Sequence, residues 1–415
     1  MKNICIVVGA RPNFVKVAPL IRAIVGASTS DCQPSAGDTA GSCNPPAAYS
    51  LVYAGKDNDP TLEGSLFADL QMPRPNTYLG VDSSSLNEIT SQVMARFDAY
   101  LDSKPADVVI VVDDLASTMA AAIVAKKRGL TLAHLVAGTR SFDMKMPKEV
   151  NRLVIDALSD LLFTAGTKSS SVATREQAEG SNTYMVGNIL MDTLRFCRPR
   201  LRKPAINIVG TAPDASQAPA EIEEKKYIVL TINRRALLAD RDKLSQLLTA
   251  ITEAAGDIPV IAPLRGEARK VVEGLATVPG TQPSTLNSQH STLNSQPSTL
   301  NSQPSTHNSQ PLTLISPLPY LEFGWLTAHA LGIITDSGNV AEEATFNGVP
   351  CITLNSYTEH QETVTIGTNV LVGEDPQRLA EVVSLMVKGE WKAGALPDRW
   401  DGRTSERIVK ILFEL

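Results

Sequence analysis

Gly332-Ile333-Ile334-Thr335-Asp336-Ser337-Gly338-Asn339-Val340-Ala341-Glu342-Glu343 is the stretch whose reading decides the fold. It reads as a buried strand that stops at Asp-Ser-Gly and turns at once into a helix. Such a turn aims free backbone N–H groups and the positive end of a helix dipole at one point, a natural seat for phosphate. Two carboxylates follow within the first turns, and Pro350-Cys351-Ile352-Thr353-Leu354 reads as the next strand. The unit suits a phosphorylated, hydroxyl-rich ligand.

Outward from this unit, strand and helix patterns alternate, which predicts α/β architecture with parallel sheets and crossover helices. Residues 2–8 read as the first strand, with Pro12 opening a helix whose apolar face is Phe14, Val17, Ala18, Ile21 and Val25. A loop is expected over 27–47. The nearly all-β-branched run 107–112 predicts a strand buried on both faces. Helices are expected over 116–128, stopped by Gly129, and over 149–159. The polar, Pro/Ala-rich stretch 203–226 reads as a junction. The expected division is an N-terminal Rossmann-like domain over 1–202, a linker over 203–226, a nucleotide-binding Rossmann-like domain over 227–403 and a closing helix over 404–415. Within the second domain, Ser-Thr-Leu-Asn-Ser-Gln recurs at 284, 291 and 298. One apolar position per heptad, with Pro297, Pro304 and Pro311, cannot make a coiled coil, so 281–311 reads as a disordered insertion.

A chain of 415 residues is too long for one core. Its net charge of −6 argues against nucleic acid and an anionic membrane surface as partners. No apolar run is long enough to span a bilayer. Five cysteines without a Cys-x-x-Cys pair predict reduced thiols and a cytoplasmic protein, with Cys32 and Cys43 the one pair in an open loop.

Ligands of two such α/β halves bind at the carboxyl ends of the strands, so the residues there are the candidates. Arg11 and Lys16 place two cations at a helix start, against the dipole; an anionic ligand offsets that cost, and a solvated helix start is the plainer reading. Asp113 and Asp114 are adjacent carboxylates: either one has a raised pKa suited to proton transfer, or one caps the next helix. His134 on a strand reads first as a packed core residue. Arg152 either clamps phosphate or pairs with a carboxylate. Glu342 either takes both ribose hydroxyls or belongs to a solvated acidic face.

Taken together, Gly9-Ala10-Arg11-Pro12, the strand end Val111 to Thr118, Ala133-His134-Leu135-Val136-Ala137-Gly138-Thr139-Arg140, Met146-Pro147-Lys148-Glu149-Val150-Asn151-Arg152 and Asp336-Ser337-Gly338 resemble the non-hydrolysing UDP-N-acetylglucosamine 2-epimerases. The resemblance runs through nearly the whole chain. It implies a glycosyltransferase-B fold, a homodimer, UDP and UDP-GlcNAc as ligands, and no metal or redox cofactor. The implied reaction converts UDP-GlcNAc to UDP-ManNAc. UDP leaves with loss of the C2 proton, giving 2-acetamidoglucal, and returns as a proton reaches the other face of C2. Nucleotide contacts are expected from Arg11, Lys16, Arg140, Arg152, Ser337, Gly338 and Glu342.

The departures fall on the chemistry. Of four side chains the resemblance assigns to catalysis, Asp114 alone survives. Val136 and Lys148 stand for glutamates and Asn233 for a histidine, while Asp113 replaces a glycine. Each lost acid or base costs about 10²–10⁴ in rate. The expectation is therefore an impaired UDP-GlcNAc 2-epimerase. The alternatives are a catalytically silent UDP-sugar binder, or a regulatory subunit pairing with an active homologue. A glycosyltransferase of the same architecture comes third, since the loop around Arg140 and Asn151-Arg152 resembles the epimerases.

Overall fold

The computed structural model describes residues 2–30, 47–208, 220–276 and 312–414. Cys32, Cys43 and the heptad repeats lie outside the described residues.

The first sheet is built from β1 (Lys2–Val8), β2 (Ala47–Tyr53), β3 (Thr77–Tyr78), β4 (Val108–Val112), β5 (Thr131–Ala137), β6 (Leu161–Thr164) and β7 (Asn182–Met185). A short antiparallel pair, β8 (Asn207–Ile208) and β9 (Ala220–Glu221), follows. The second sheet contains β10 (Ile228–Thr231), β11 (Val260–Ala262), β12 (Thr313–Leu314), β13 (Gly332–Thr335), β14 (Cys351–Thr353) and β15 (Asn369–Leu371). The strand orders are β3-β2-β1-β4-β5-β6-β7 and β12-β11-β10-β13-β14-β15, and every pairing within them is parallel. Both orders reverse direction once, between β1 and β4 and between β10 and β13. A doubly wound sheet opens its binding crevice at such a reversal.

The all-apolar run of β4 is fully buried because helices cover both faces. Helices Leu86–Ser103, Ala116–Lys127 and Pro147–Leu158 pack in sequence along one face. Helices Arg11–Ser30, Ile189–Cys197 and Thr404–Glu414 pack together on the other. That last helix comes from the far end of the chain, and Asp192 of the first domain receives it. Its carboxylate accepts from the backbone N–H groups of Thr404 and Ser405 at 3.0 and 2.7 Å. Trp400, fully buried just before the helix, donates to the Ala165 carbonyl.

Several local expectations need correction. The first helix begins at Arg11 and runs to Ser30, so no loop starts at 27. The junction is not uniformly polar loop: Ile206 and Ile222 are buried against the second sheet. Neither Asp113 nor Asp114 caps the helix after β4. Leu115 occupies the cap position, and its backbone N–H donates to Thr118 Oγ1.

Candidate active site

The reversal between β1 and β4 forms the floor of the site. Gly9, just past β1, lies so close to the helix Ala116–Lys127 that a Cβ there would stand 2.0 Å from Ser117 Oγ. Asn13 ties the turn: its Oδ1 accepts from the N–H groups of Gly9 and Ala10, and its Nδ2 donates to Asp113. Asp113 also accepts from Lys16 Nζ at 2.5 Å. Both partners of that pair are largely buried. Burial works against the charge of Lys16, but Asp113 and Glu342 outweigh it and raise the Lys16 pKa.

Asp114 is the centre of a cationic cluster. Arg152 donates from Nε and Nη2 to its Oδ2 at 2.9 and 2.5 Å, and Lys148 Nζ lies 3.5 Å from its Oδ1. Burial pushes the Asp114 carboxyl up, but Lys148, Arg152 and Lys16 hold it below its ordinary value. The expected raised carboxylate pKa is thus not found at Asp114. Arg152 pairs with carboxylates: besides Asp114 it contacts Glu149 at 3.1 Å and Glu359, from the second domain, at 2.6 Å. Glu149 cannot stand in for Lys148. It is buried and turned away, accepting from the N–H groups of Ser141 and Phe142 and from Ser141 Oγ.

Val136 sits where the pairing of β5 with β6 slips by one residue, with φ of 76°. Bulges re-aim a side chain and recur beside active sites. A β-branched residue in the left-handed region is strained by about 1–3 kcal/mol. Asp113, at φ 59°, holds a similar conformation where the resemblance places glycine. At both places the backbone is one that these side chains seldom adopt.

The reversal between β10 and β13 faces this floor from the second domain. Asp336 Oδ2 accepts from the N–H groups of Asn233 and Arg234, both at 2.7 Å, tying the two strand ends together. The helix Gly338–Asn347 starts after Ser337, whose side chain makes no capping bond. Its first-turn N–H groups have no carbonyl partners within the helix.

A cavity of about 160 Å³ joins the two halves. Lys16, Asp113, Asp114, His134, Val136, Lys148 and Arg152 line it from the first domain, and Asn339 and Glu359 from the second. Ligand pockets commonly span about 300–1,000 Å³, so this cavity alone does not hold a whole sugar nucleotide; a second cavity of about 570 Å³ adjoins it at Ala10 and Leu115.

Six expected site residues, Arg11, Arg140, Asn233, Ser337, Gly338 and Glu342, do not line that cavity. Arg140 is buried in ion pairs with Asp156 at 2.7 Å and Glu176 at 2.9 Å, which already hold its charge. Glu342, 2% exposed, accepts from Asn188 Nδ2 of the first domain at 2.6 Å and lies 3.3 Å from His360 Nδ1. It is neither a free ribose clamp nor part of a solvated face. Asn233 is exposed at the end of β10. His134 is fully buried, with Nδ1 2.5 Å from Asp156 Oδ1 and Nε2 3.0 Å from the Asp113 carbonyl.

Beside this cavity Arg11 has a buried Nε with no partner among the described residues. Burial and Arg265 lower its pKa, with Glu63, Tyr320 and Glu343 opposing. Such a group suits an anion. Glu343 went unremarked in the sequence as a distinct site. Burial and Glu342 push its carboxyl up to about 8, with Arg11 opposing. It is mostly neutral at pH 7 and repels no diphosphate. A raised carboxyl stabilises the fold fully below its ordinary value of 4.5, and that contribution is lost as pH rises through about 8. Glu343→Gln should therefore flatten the decline in stability across that window, worth about 1.4 kcal/mol per pH unit. Urea melts of both proteins across that range test this, and an identical decline in the variant counts against it.

Two Rossmann-like domains facing across a cleft, each with a strand reversal, are the glycosyltransferase-B architecture. The family model for UDP-N-acetylglucosamine 2-epimerase matches residues 42–413, and the chain belongs to that family. A "UDP-N-acetylglucosamine 2-epimerase homolog" of Methanococcus maripaludis is 29% identical, over 100% of both chains. A Pseudomonas aeruginosa relative, "UDP-2,3-diacetamido-2,3-dideoxy-D-glucuronate 2-epimerase", is 28% identical, also over 100% of both. Among solved structures, the Methanocaldococcus jannaschii UDP-GlcNAc 2-epimerase in complex with UDP-GlcNAc and UDP aligns at a TM-score of 0.71. Its identity is 25%, over 100% of both chains.

Proposed function

We propose that this chain binds a UDP-linked 2-acetamido sugar between its domains and epimerises it at C2 far more slowly than a family member with all four catalytic groups. One observation carries the reading: Asp114 faces the cavity beside Val136 and Lys148. The reaction needs a base on one face of C2 and an acid on the other. Asp114, held ionised by Lys148 and Arg152, is a weakened base and at neutral pH has no proton to return. Valine transfers none. Charge on the departing diphosphate is to be met by Arg11, Lys16 and the N–H groups from Gly338 onward. Opening of the cleft breaks the Arg152–Glu359 bridge, and the nucleotide's charge offsets that loss.

The pairing of Lys148 with Asp114 favours a second reading, a silent UDP-sugar binder or a subunit completed by an active homologue. A homodimer, a cytoplasmic setting and domains divided at 202 and 227 complete the proposal.

Proton NMR of the protein with UDP-GlcNAc in D₂O tests it, with thermal melts in UDP alongside. UDP should raise the melting temperature. Deuterium should enter C2 slowly, and Asp114→Asn should abolish that exchange. Turnover at the pace of an intact family member overturns the impairment. Absence of any UDP stabilisation overturns the binding.

A further inference from the structure

We infer that His134 carries a hydrogen on each ring nitrogen and uses one of them to fix the turn that presents Asp114. It is a positioning residue for transfer of the C2 proton, not the base that takes it. This role rests on the reading above that Asp114 works on that proton.

The ring stands between two acceptors. Nε2 lies 3.0 Å from the backbone carbonyl of Asp113. A carbonyl oxygen only accepts, so the hydrogen of that bond belongs to Nε2. Nδ1 lies 2.5 Å from Asp156 Oδ1. The other oxygen of that carboxylate, Oδ2, takes Arg140 Nη1 at 2.7 Å and the Gly138 N–H at 3.0 Å. Two such donors hold the carboxylate ionised. An ionised carboxylate only accepts, so Nδ1 carries a hydrogen as well. His134 is therefore an imidazolium, 1% exposed, with its charge met by Asp156. Although it lines the cavity, it has no free lone pair with which to take a proton.

The bond from Nε2 acts on the site through the backbone. Asp113 has φ of 59°, a conformation uncommon outside glycine. Every polar group of that residue is tied. Its N–H donates to the Leu135 carbonyl at 3.2 Å, and its carboxylate accepts from Asn13 and Lys16. Its carbonyl accepts from His134. That carbonyl belongs to the peptide joining Asp113 to Asp114. A planar peptide turns as one piece, so His134 sets the direction in which Asp114 leaves the turn to meet Arg152 and Lys148. Misplacing a reacting group by about 1 Å costs about 10²-fold in rate.

NMR of the full chain tests this, with ¹⁵N in histidine and ¹³C in the aspartate carboxyls. Wild type, His134→Asn and His134→Gln are compared. An asparagine amide falls where Nδ1 was and reaches Asp156. A glutamine amide falls where Nε2 was and reaches the Asp113 carbonyl. Both variants lose the ring's charge, so the pair separates position from charge. The chain has five histidines, and the His134 signals are those missing from both variants. In wild type at pH 7, each nitrogen of that ring should show an attached hydrogen. The Asp114 carboxyl should titrate below its ordinary value in wild type and His134→Gln, and move up in His134→Asn as it leaves Lys148 and Arg152. Deuterium exchange at C2 of UDP-GlcNAc should fall about tenfold or more in His134→Asn, and His134→Gln should restore most of it. A ring nitrogen without hydrogen overturns the assignment. So does an Asp114 midpoint that is the same in all three proteins, or that moves equally in both variants. Absence of exchange in every protein overturns slow epimerisation instead, and the Asp114 midpoint then decides the role of His134.

Discussion

Val136→Glu, Lys148→Glu and Asn233→His, combined in one chain, raise C2 epimerisation of UDP-GlcNAc by about 10³-fold or more over the unmodified protein. The backbone is ready for the first change. The slip in β5 at Val136 already turns that side chain toward the cavity, and glutamate tolerates its left-handed φ better than a β-branched residue. The second change acts twice. It supplies a carboxylate, and it removes the cation that does most to hold Asp114 below its ordinary pKa. Asp114 then becomes a better base, and one of two facing carboxyls can carry a proton. The third change places an imidazole at the end of β10, beside the phosphate seat. Groups acting as a unit are not additive, so each single replacement should recover little. Deuterium exchange at C2 reads the outcome. A triple variant that melts normally, binds UDP and shows no gain would remove the assignment of these three positions.

Asp156→Ala costs about 3–5 kcal/mol of stability, the scale of breaking a buried ion pair. Asp156 is almost wholly buried and serves three partners. Its Oδ1 meets His134 Nδ1 at 2.5 Å, and its Oδ2 meets Arg140 Nη1 at 2.7 Å and the Gly138 N–H at 3.0 Å. Removal leaves the buried Arg140 guanidinium with Glu176 as its remaining ion-pair partner and unties the Gly138 N–H in the loop after Val136. Burial pushes the Asp156 carboxyl up, and His134 and Arg140 more than reverse it, so its pKa falls on folding. A depressed carboxyl gives its full stabilisation above the unfolded value of about 3.9 and loses it as pH drops further. Wild type should accordingly lose stability steeply in acid, and the variant should lack that part of the decline. Denaturant melts at pH 7 and pH 3 measure both effects. A loss under 1 kcal/mol at neutral pH would contradict the account.

The two sheets were legible because their central strands are short, β-branched and bounded by turn residues: 107–112, 227–231 and 332–335 each stand out alone. The helix Leu86–Ser103 did not. Its buried residues, Val93, Phe97, Tyr100 and Leu101, all come after its first seven residues, none of which is buried. Lys16, Asp114 and Arg152, which the cavity brings together, were read from the ends of their elements, whereas Lys148 entered only through the resemblance. Arg140 and Glu342 are engaged by partners remote in sequence, Asp156 and Glu176 for one, Asn188 and His360 for the other. Local pattern carries no trace of such pairs. The sign of the shift at Asp114 was hidden for the same reason, since it depends on cations 34 and 38 residues away.

The helix Thr404–Glu414, packed on Arg11–Ser30 and held by Asp192, has a bearing on synthesis. The opening sheet emerges from the ribosome early, yet one flank of its core stays uncovered until residues 404–414 have been made. The amino-terminal half is thus a late finisher, and a nascent chain halted within the second domain exposes the apolar side of its own first helix.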